Sequence, residues 1–244
     1  MTGGTEWERY ATEGVLLDGF HALKHALRFG ARVPVAIARD KAAALALAAD
    51  LAPDLTGTLE ELLNEVPGER LRALVPRPHP TGVAALALRD PARGGVPRAS
   101  TGRDAPVVVL DNPRNLGNVG AVIRLAAGAG AGGVLTTGDA DPWHPSAVRA
   151  SAGLHFATAV EHREVAALPE GPLYAFDPEG ADLRKVPLPR GAMLAFGSER
   201  HGLSDEVRAR ADHLVALPME PQVSSYNLAT SVAMALYHWM ARDT

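Results

Sequence analysis

The feature that most constrains the fold is the regular alternation of apolar runs and helical patterns after Pro106. The apolar runs lie at Val107–Leu110, Val134–Thr136, Phe156–Val160, Leu173–Phe176, Met193–Phe196 and Leu214–Leu217. Helical patterns fit between or after them at Asn118–Ala127, Pro145–Ala152, Ser204–Ala211 and Asn227–Ala241. Short, continuously apolar strands that alternate with helices are typical of a mostly parallel sheet covered on both faces. The sequence therefore predicts an α/β domain.

A second, smaller α/β unit precedes this domain. Residues 91–106 are rich in Gly, Pro and Arg and lack periodicity, which is typical of a linker. Before them the sequence predicts a helix from an Asp18 cap to Phe29, a strand at Val33–Ala38, a helix after Asp40, a capping box of Thr58 and Glu61, and a strand at Val83–Leu88. We therefore predict domains at 1–92 and 106–244, joined by a linker at 93–105.

Charge and composition exclude several classes of protein. The net charge of −4 does not indicate a basic nucleic-acid module, so any RNA contact has to come from local arginines. The absence of cysteine excludes disulfides, thiolate metal sites and cysteine nucleophiles. The nine histidines lack ligand spacing, so we predict no metal site and expect His155, His162 and His213 at strand ends or on the surface.

No apolar stretch reaches the roughly 20 residues that cross a bilayer. The acidic first residues also lack the layout of a signal peptide. We expect a soluble cytoplasmic protein that does not bind a membrane.

Gly128, Gly130 and Gly133 fit the G-x-G-x-x-G pattern of dinucleotide-binding folds. That pattern binds a pyrophosphate only between a strand and the helix that follows it. These glycines instead follow a predicted helix and precede a predicted strand. They indicate a helix stop, not a cofactor site.

Three segments of the second domain carry polar residues where the pattern predicts an apolar element or its end. In the first, Asn118 lies at a helix start and Arg124 inside its second turn, among apolar neighbours. In the second, Gly197 and Glu199 follow a strand, at the end where open α/β sheets bind ligands. Both segments also have a purely structural explanation. Arg124 could be a surface arginine on an amphipathic helix, and Glu199 a solvated residue in a turn.

The third segment begins at Leu217, where a strand ends in a Pro-rich loop. Ser224, Ser225 and Asn227 then crowd a helix start. N-capping alone needs one such residue, so the excess indicates a polar site.

The order, spacing and content of these segments closely resemble the three motifs of the SpoU/TrmH family of the SPOUT class, RNA 2′-O-ribose methyltransferases. The resemblance covers Val107 to about Trp239, and Trp143–Gly153 looks like an intermediate motif of the family. Residues 17–23 and 78–85 are more loosely similar to the substrate-binding domain that many members carry.

The resemblance implies a C-terminal SPOUT domain with a trefoil knot and an S-adenosylmethionine pocket lined by Gly197, Leu217, Ser225, Tyr226, Asn227 and Leu228. It implies a catalytic group of Asn118, Arg124, Glu199, Ser225 and Asn227. Tyr226 stands where the family usually has Leu, and Arg200-His201 replace a pair that usually contains Gly. Because arginine stays protonated, we expect Arg124 to hold the ribose 2′-oxygen and not to act as the base, which leaves the proton acceptor open.

The resemblance also implies a homodimer with RNA lying across both subunits, and Arg114, Arg149 and Arg200 are candidate phosphate contacts. The additional N-terminal domain favours ribosomal RNA over transfer RNA. Two alternatives stay open: a catalytically inactive RNA-binding protein of this fold, and a SPOUT enzyme that methylates a base nitrogen. The Asn–Arg pair and the Ser-x-Asn motif favour ribose.

Overall fold

The computed structural model describes residues 2–90, 95–99 and 102–242. The chain divides into two compact units. The first comprises Met1–Arg93 together with Ser151–Ala157, and the second comprises Gly94–Ala150 and Thr158–Thr244. No helix among the described residues is long and apolar enough to span a membrane.

The first unit has a four-stranded sheet in the order β1-β4-β2-β3. The strands are β1 (Gly14–Asp18), β2 (Arg32–Ala38), β3 (Leu63–Glu65) and β4 (Val83–Leu88). Strand β4 is antiparallel to β1 and β2, whereas β2 and β3 are parallel. The helices are α1 (Thr2–Tyr10), α2 (Phe20–Arg28), α3 (Lys41–Leu51), α4 (Thr56–Leu62) and α5 (Gly68–Leu74).

Helix starts in the first unit follow the predictions only in part. The helix predicted after Asp40 is confirmed as α3, and the Asp40 carboxylate caps it by accepting from the Ala43 N–H at 2.9 Å. The Asp18 cap is wrong, because Asp18 ends β1 and its carboxylate accepts from the His79 N–H at 2.7 Å. The capping box of Thr58 and Glu61 is also wrong, since α4 already begins at Thr56 without a side-chain cap.

The second unit has a six-stranded, wholly parallel sheet in the order β10-β8-β9-β5-β6-β7, which confirms the predicted parallel α/β domain. Its strands are β5 (Val107–Leu110), β6 (Gly133–Thr136), β7 (Val160–His162), β8 (Leu173–Asp182), β9 (Met193–Phe196) and β10 (His213–Ala216). Its helices are α6 (Leu116–Ala129), α7 (Pro145–Ala150), α8 (Asp205–Arg210) and α9 (Leu228–Arg242).

Strand β5 is apolar throughout because both faces of the sheet are covered. Val108 and Leu110 pack in the cluster that contains residues of α6 and α9. Val107 and Val109 pack on the opposite face, in the cluster that contains Val207 of α8. Successive side chains of a strand point to opposite faces, so a covered central strand has no position for a polar residue.

The strand expected at Phe156–Val160 is wrong. Leu154–Phe156 forms a 3-10 turn, and β7 begins only at Val160. His155 is buried in that turn, where its Nδ1 lies 2.8 Å from the Ser151 hydroxyl, so its expected place at a strand end or on the surface is also wrong. The glycine helix stop is confirmed, because Gly130 ends α6 in the left-handed conformation with a φ of 70°.

The segment interpreted as a linker is described only in part, because residues 91–94, 100 and 101 lie outside the described residues. Within the described part, Val96 is buried in the core of the second unit. The Arg103 guanidinium is also buried there and donates to the carbonyls of Pro97, Glu170 and Gly191. These residues therefore pack as part of the second unit.

A bulge interrupts the pairing of β8 with β10. Leu214 pairs with Ala175, but the next residue, Val215, pairs with Ala181, so residues 176–180 have no partner on β10. At the end of this bulge a Cβ on Gly180 would lie 2.3 Å from the Val215 nitrogen. Only glycine allows the two backbones to pass so closely. The bulge forms one wall of the site described next.

Candidate active site

A cavity of about 640 Å³ opens at the carboxyl ends of β8, β9 and β10 in the second unit. Open parallel sheets bind ligands at this edge. The cavity is lined by the end of β8 with its bulge, by the loop after β9, and by the loop between β10 and α9. Its lining residues are Phe176, Asp177, Pro178, Phe196, Gly197, Ser198, Glu199, Arg200, Gly202, Leu217, Met219, Ser224, Ser225, Tyr226, Asn227, Leu228 and Ser231.

Phe176 and Phe196 provide aromatic surface in this cavity. They are paired across β8 and β9, and their rings stack with centroids 4.4 Å apart and planes 12° apart. The sequence pattern predicts both residues at strand ends but does not assign them to the site. Two apolar residues that end predicted strands carry no signal that distinguishes a site wall from ordinary core.

The loop after β9 folds back on itself next to the cavity. Ser198 and Gly202 exchange backbone hydrogen bonds of 2.9 and 3.0 Å. A Cβ on Gly197 would lie 2.0 Å from the carbonyl carbon of Gly202, so the fold excludes any side chain there. The cavity wall at Gly197 is therefore bare backbone, which suits a ligand bound through main-chain groups.

Asn118, Glu199 and Asn227 form one hydrogen-bonded chain. Asn118 Nδ2 donates to Glu199 Oε1 at 2.8 Å, and Asn227 Nδ2 donates to Asn118 Oδ1 at 3.1 Å. Asn227 Oδ1 in turn accepts from the Ala229 N–H at 2.9 Å and so caps α9. The structure thus brings together three of the five residues predicted to be catalytic, from three separate segments.

Glu199 is held as an anion. Partial burial by itself would raise the pKa of its carboxyl group. Hydrogen bonds from the Asn118 side chain and from the backbone N–H groups of Glu199, Arg114 and Asn115 outweigh burial and hold the pKa below its ordinary value. The Arg114 N–H contact measures 3.2 Å. A carboxylate stabilised in this way orients its donors and is a poor proton acceptor.

Asn115 fixes the position of Asn118, and sequence analysis missed it. Helix α6 begins at Leu116, two residues earlier than predicted. The Asn115 side chain caps it by accepting from the Gly117 and Asn118 N–H groups at 2.8 and 3.2 Å. The available signal was the preference of asparagine for the N-cap position.

The loop from Leu217 to Asn227 is closed by Tyr226. The Tyr226 hydroxyl donates to the Pro218 carbonyl at 3.0 Å across eight residues of chain. Ser225 lines the cavity beside it, as do Leu217 and Leu228 at the two ends of the loop. All six residues predicted to bind the cofactor therefore line one cavity.

Arg124 lies elsewhere. It is exposed on α6, is absent from the cavity lining, and has no hydrogen bond or ion pair with any residue that the structure describes. Of the arginines predicted to contact RNA, Arg200 lines the cavity and Arg149 is exposed on α7. The Arg114 guanidinium lies 3.5 Å from Asp139 Oδ2.

Within the described ranges, no group of three or more His, Asp or Glu residues has the arrangement of a metal site. The cavity lining consists of backbone groups, aromatic rings, amides, hydroxyls, the carboxylates of Asp177 and Glu199 and the guanidinium of Arg200.

A parallel sheet with a backbone-walled cavity and a fixed amide–carboxylate chain at its carboxyl edge defines a ligand-binding α/β domain. Residues 105–237 match the model of the SpoU rRNA Methylase family. The chain belongs to this family.

Two relatives and one solved structure illustrate the similarity. The chain is 33% identical over 184 residues to an uncharacterized tRNA/rRNA methyltransferase of Synechocystis sp., covering 70% of this chain and 65% of the relative. It is 30% identical over 202 residues to the 23S rRNA (uridine(2479)-2′-O)-methyltransferase of Streptomyces viridochromogenes, covering 77% of this chain and 64% of the relative. The matches thus span slightly less than two thirds of either relative.

The fold is similar to that of the SpoU methyltransferase AviRb from Streptomyces viridochromogenes, solved in complex with AdoMet. The TM-score is 0.76 at 23% identity, over 97% of this chain and 92% of that chain. At this identity the similarity concerns the fold.

Proposed function

We propose that this chain transfers a methyl group from S-adenosylmethionine to a ribose 2′-hydroxyl of ribosomal RNA. The observation that carries the proposal is the series of hydrogen bonds that joins Glu199, Asn118 and Asn227. It lies at the edge of a cavity with the Gly197 backbone in its wall. Family membership and the named activity of the Streptomyces relative support it. The choice of ribosomal RNA depends on that relative and on the additional N-terminal unit.

The cavity suits S-adenosylmethionine in size and chemistry. It is large enough for a nucleoside with an amino-acid arm, and aromatic, backbone and hydroxyl surfaces line it. Gly197, Leu217, Ser225, Tyr226, Asn227 and Leu228 would hold the cofactor. The bound cofactor supplies an electrophilic methyl group on a sulfonium centre.

The polar residues at the cavity would orient the ribose 2′-hydroxyl of the RNA. Glu199 stays charged and fixes the Asn118 amide, which leaves one Asn118 N–H free for a ligand oxygen. Arg124 would stabilise the negative charge that develops on the ribose 2′-oxygen, because a guanidinium keeps its proton and donates strong hydrogen bonds. Ser225 and Asn227 would shape the contact surface.

We further propose that the protein acts as a homodimer in which α9 faces a second copy. Tyr237 and Met240 lie one turn apart on α9 and are 72% and 44% exposed. Such an apolar stripe favours a protein contact over water. Helix α9 packs on α6, the helix that carries the exposed Arg124. Arg124 would then complete the site of the partner subunit.

The trefoil knot implied by the resemblance belongs to the same proposal. The substrate-binding role of the first unit is likewise part of the proposal.

The proposal is tested with purified protein, S-adenosylmethionine and bacterial 23S ribosomal RNA. We expect heat of binding in titration with S-adenosylmethionine, and a methylated product whose linkage resists alkali at the modified nucleotide. Arg124→Ala should abolish methyl transfer yet keep cofactor affinity, whereas Arg9→Ala should change neither. Failure to bind S-adenosylmethionine would favour the inactive RNA-binding protein, and an alkali-sensitive methylated product would favour base methylation.

RNA affinity should also fall steeply as salt is added if Arg114, Arg149 and Arg200 contact phosphates together. An affinity that is flat in salt would contradict their role.

A further inference from the structure

The side chains of two arginines in the first unit approach the same glycine. This glycine lies at the side of the sheet where β1, β2 and β3 end. Arg39 follows β2, and its backbone N–H donates to the Gly82 carbonyl at 2.8 Å. Arg72 lies one turn after Gly68 in α5. A Cβ on Gly68 would lie 3.4 Å from Arg39 Cδ and 3.8 Å from Arg72 Nη1. The two side chains therefore approach the same point on the backbone.

The Arg39 side chain lies flat across a second glycine. A Cβ on Gly82 would lie 3.2 Å from Arg39 Cβ, 3.5 Å from its Nε and 3.8 Å from its Cζ. The guanidinium is thus placed by packing on backbone and not by an ion pair. A side chain placed in this way has lost part of its rotational freedom before it binds anything, which favours binding.

Neither guanidinium has a counter-ion among the residues that the structure describes. Arg39 and Arg72 are exposed, and neither forms a hydrogen bond or ion pair with another residue in the described part of the chain. Asp40 and Glu65, which lie near Arg39 in the sheet, have other partners: Asp40 accepts from the Ala43 N–H and Glu65 from the Lys41 N–H. Glu69 lies three residues before Arg72 on α5 and forms no hydrogen bond or ion pair with it in the described part of the chain. Two arginine side chains that approach the same glycine can both donate to one external anion.

Helices α2 and α3 begin at the same edge, after the ends of β1 and β2, and the Asp40 side chain caps α3 there. The two loosely matching segments of the sequence also meet at this edge. The Asp18 carboxylate accepts from the His79 N–H, and the Thr81 hydroxyl accepts from the Phe20 N–H at 3.2 Å.

We infer that Arg39 and Arg72 form a binding site for backbone phosphates of the substrate RNA. Guanidinium groups match phosphate oxygens with paired hydrogen bonds, and phosphate contacts set the position of an RNA without reading its sequence. The site would hold the RNA on the first unit while the second unit carries out the reaction. This inference rests on the proposed function, since it takes RNA as the substrate.

The test compares the full-length protein with Arg39→Ala/Arg72→Ala in binding to bacterial 23S ribosomal RNA at several salt concentrations. We expect affinity at low salt to fall roughly tenfold, and the slope of log affinity against log salt to become shallower by about 1.5, because two phosphate contacts are lost. The matched control is Arg9→Ala/Arg32→Ala, which removes the same charge from the same unit. It should reduce affinity much less.

A charge-preserving variant separates geometry from charge. Arg39→Lys/Arg72→Lys should keep the wild-type salt slope but bind less tightly, because lysine cannot form the paired contact. If Arg39→Ala/Arg72→Ala binds RNA like its control, the inference is overturned. It is also overturned if inorganic phosphate alone binds these arginines and RNA does not compete with it.

Two further measurements keep this result distinct from the proposed function. The alanine pair should leave affinity for S-adenosylmethionine unchanged, since both arginines lie outside the cavity lining. A wild-type protein that binds neither S-adenosylmethionine nor RNA would refute the proposed function itself.

Discussion

At the scale of single residues, the site depends on a carboxylate that other groups keep charged. Burial raises the pKa of Glu199, and hydrogen bonds from one side-chain amide and several backbone N–H groups more than offset this rise. Because its pKa in the folded state lies below the ordinary value of 4.5, ionised Glu199 stabilises the fold above that pH. This contribution disappears as the pH falls through the lower folded-state pKa.

Asn118→Ala should move the pKa of Glu199 upward. The substitution removes the Asn118 hydrogen bond and leaves the burial, so the carboxyl group should titrate at higher pH than in the wild type. Carbon-13 NMR of labelled glutamate measures this directly. Asn64→Ala, which removes an amide from the first unit, should leave the titration of Glu199 unchanged. An identical curve in wild type and Asn118→Ala would refute the role of Asn118.

Tyr226→Phe should weaken cofactor binding without slowing the chemical step. The substitution removes the hydrogen bond to Pro218 that closes the loop lining the cavity. One such bond contributes about 1 kcal/mol, so we expect the affinity for S-adenosylmethionine to fall roughly fivefold. Titration with S-adenosylmethionine and the separate values of kcat and KM report the effect. Tyr10→Phe, at the end of α1 in the first unit, is the control. A lowered kcat with unchanged affinity would contradict this role.

The sequence predicts these site residues unevenly. Asn118, Glu199 and Asn227 follow from polar residues placed where an apolar element should begin or end, and they do meet. The hydroxyl contact of Tyr226 depends on how the loop folds, which local sequence does not specify. Arg124 stands out for the same reason as Asn118, yet it is exposed within one chain. A pattern in one chain cannot distinguish a surface residue from one that serves a partner.

At the scale of elements, the bulge of β8 allows a matched pair of substitutions. Gly180→Ala would put a Cβ 2.3 Å from the Val215 nitrogen, and no side-chain rotation relieves contact with backbone. We expect a loss of stability of about 3 kcal/mol or more. Gly128→Ala, inside α6 with nothing within 4 Å, should stabilise the protein by about 0.5–1 kcal/mol.

Urea unfolding of the two variants gives this comparison. Equal stabilities would mean that β8 and β10 do not pass as closely as described.

The elements themselves follow well from sequence wherever an apolar run is buried on both faces. Strands β5 and β9 have the predicted bounds. Both are covered on both faces of the sheet, so every position in them has to be apolar. The run at Phe156–Val160 is mostly apolar but does not form the predicted strand, because Leu154–Phe156 makes a turn in which the His155 ring lies 2.8 Å from the Ser151 hydroxyl. Strand β8 runs to Asp182, six residues beyond the predicted end at Phe176. Its second half pairs with β10 after the bulge, and the composition of β8 alone does not predict that pairing.

At the scale of the whole molecule, the proposed dimer makes a quantitative prediction. If Arg124 serves the partner's site, co-expressed Asn118→Ala and Arg124→Ala chains restore one intact site in each mixed dimer. Random pairing should then give about a quarter of the wild-type rate, although each variant alone is inactive. Mixed dimers without activity would mean that Asn118 and Arg124 act within one chain. Sedimentation of the mixture confirms that dimers formed.

The membership of Ser151–Ala157 in the first unit limits how this protein can be taken apart. His25 Nδ1 lies 2.8 Å from the Ala152 carbonyl, and a Cβ on Gly153 would strike the Ala22 carbonyl oxygen at 2.5 Å. Two stretches more than fifty residues apart thus build one body. A nick between residues 90 and 102 would leave the fragments associated, and a chimera with a foreign N-terminal module would need three splice junctions instead of one.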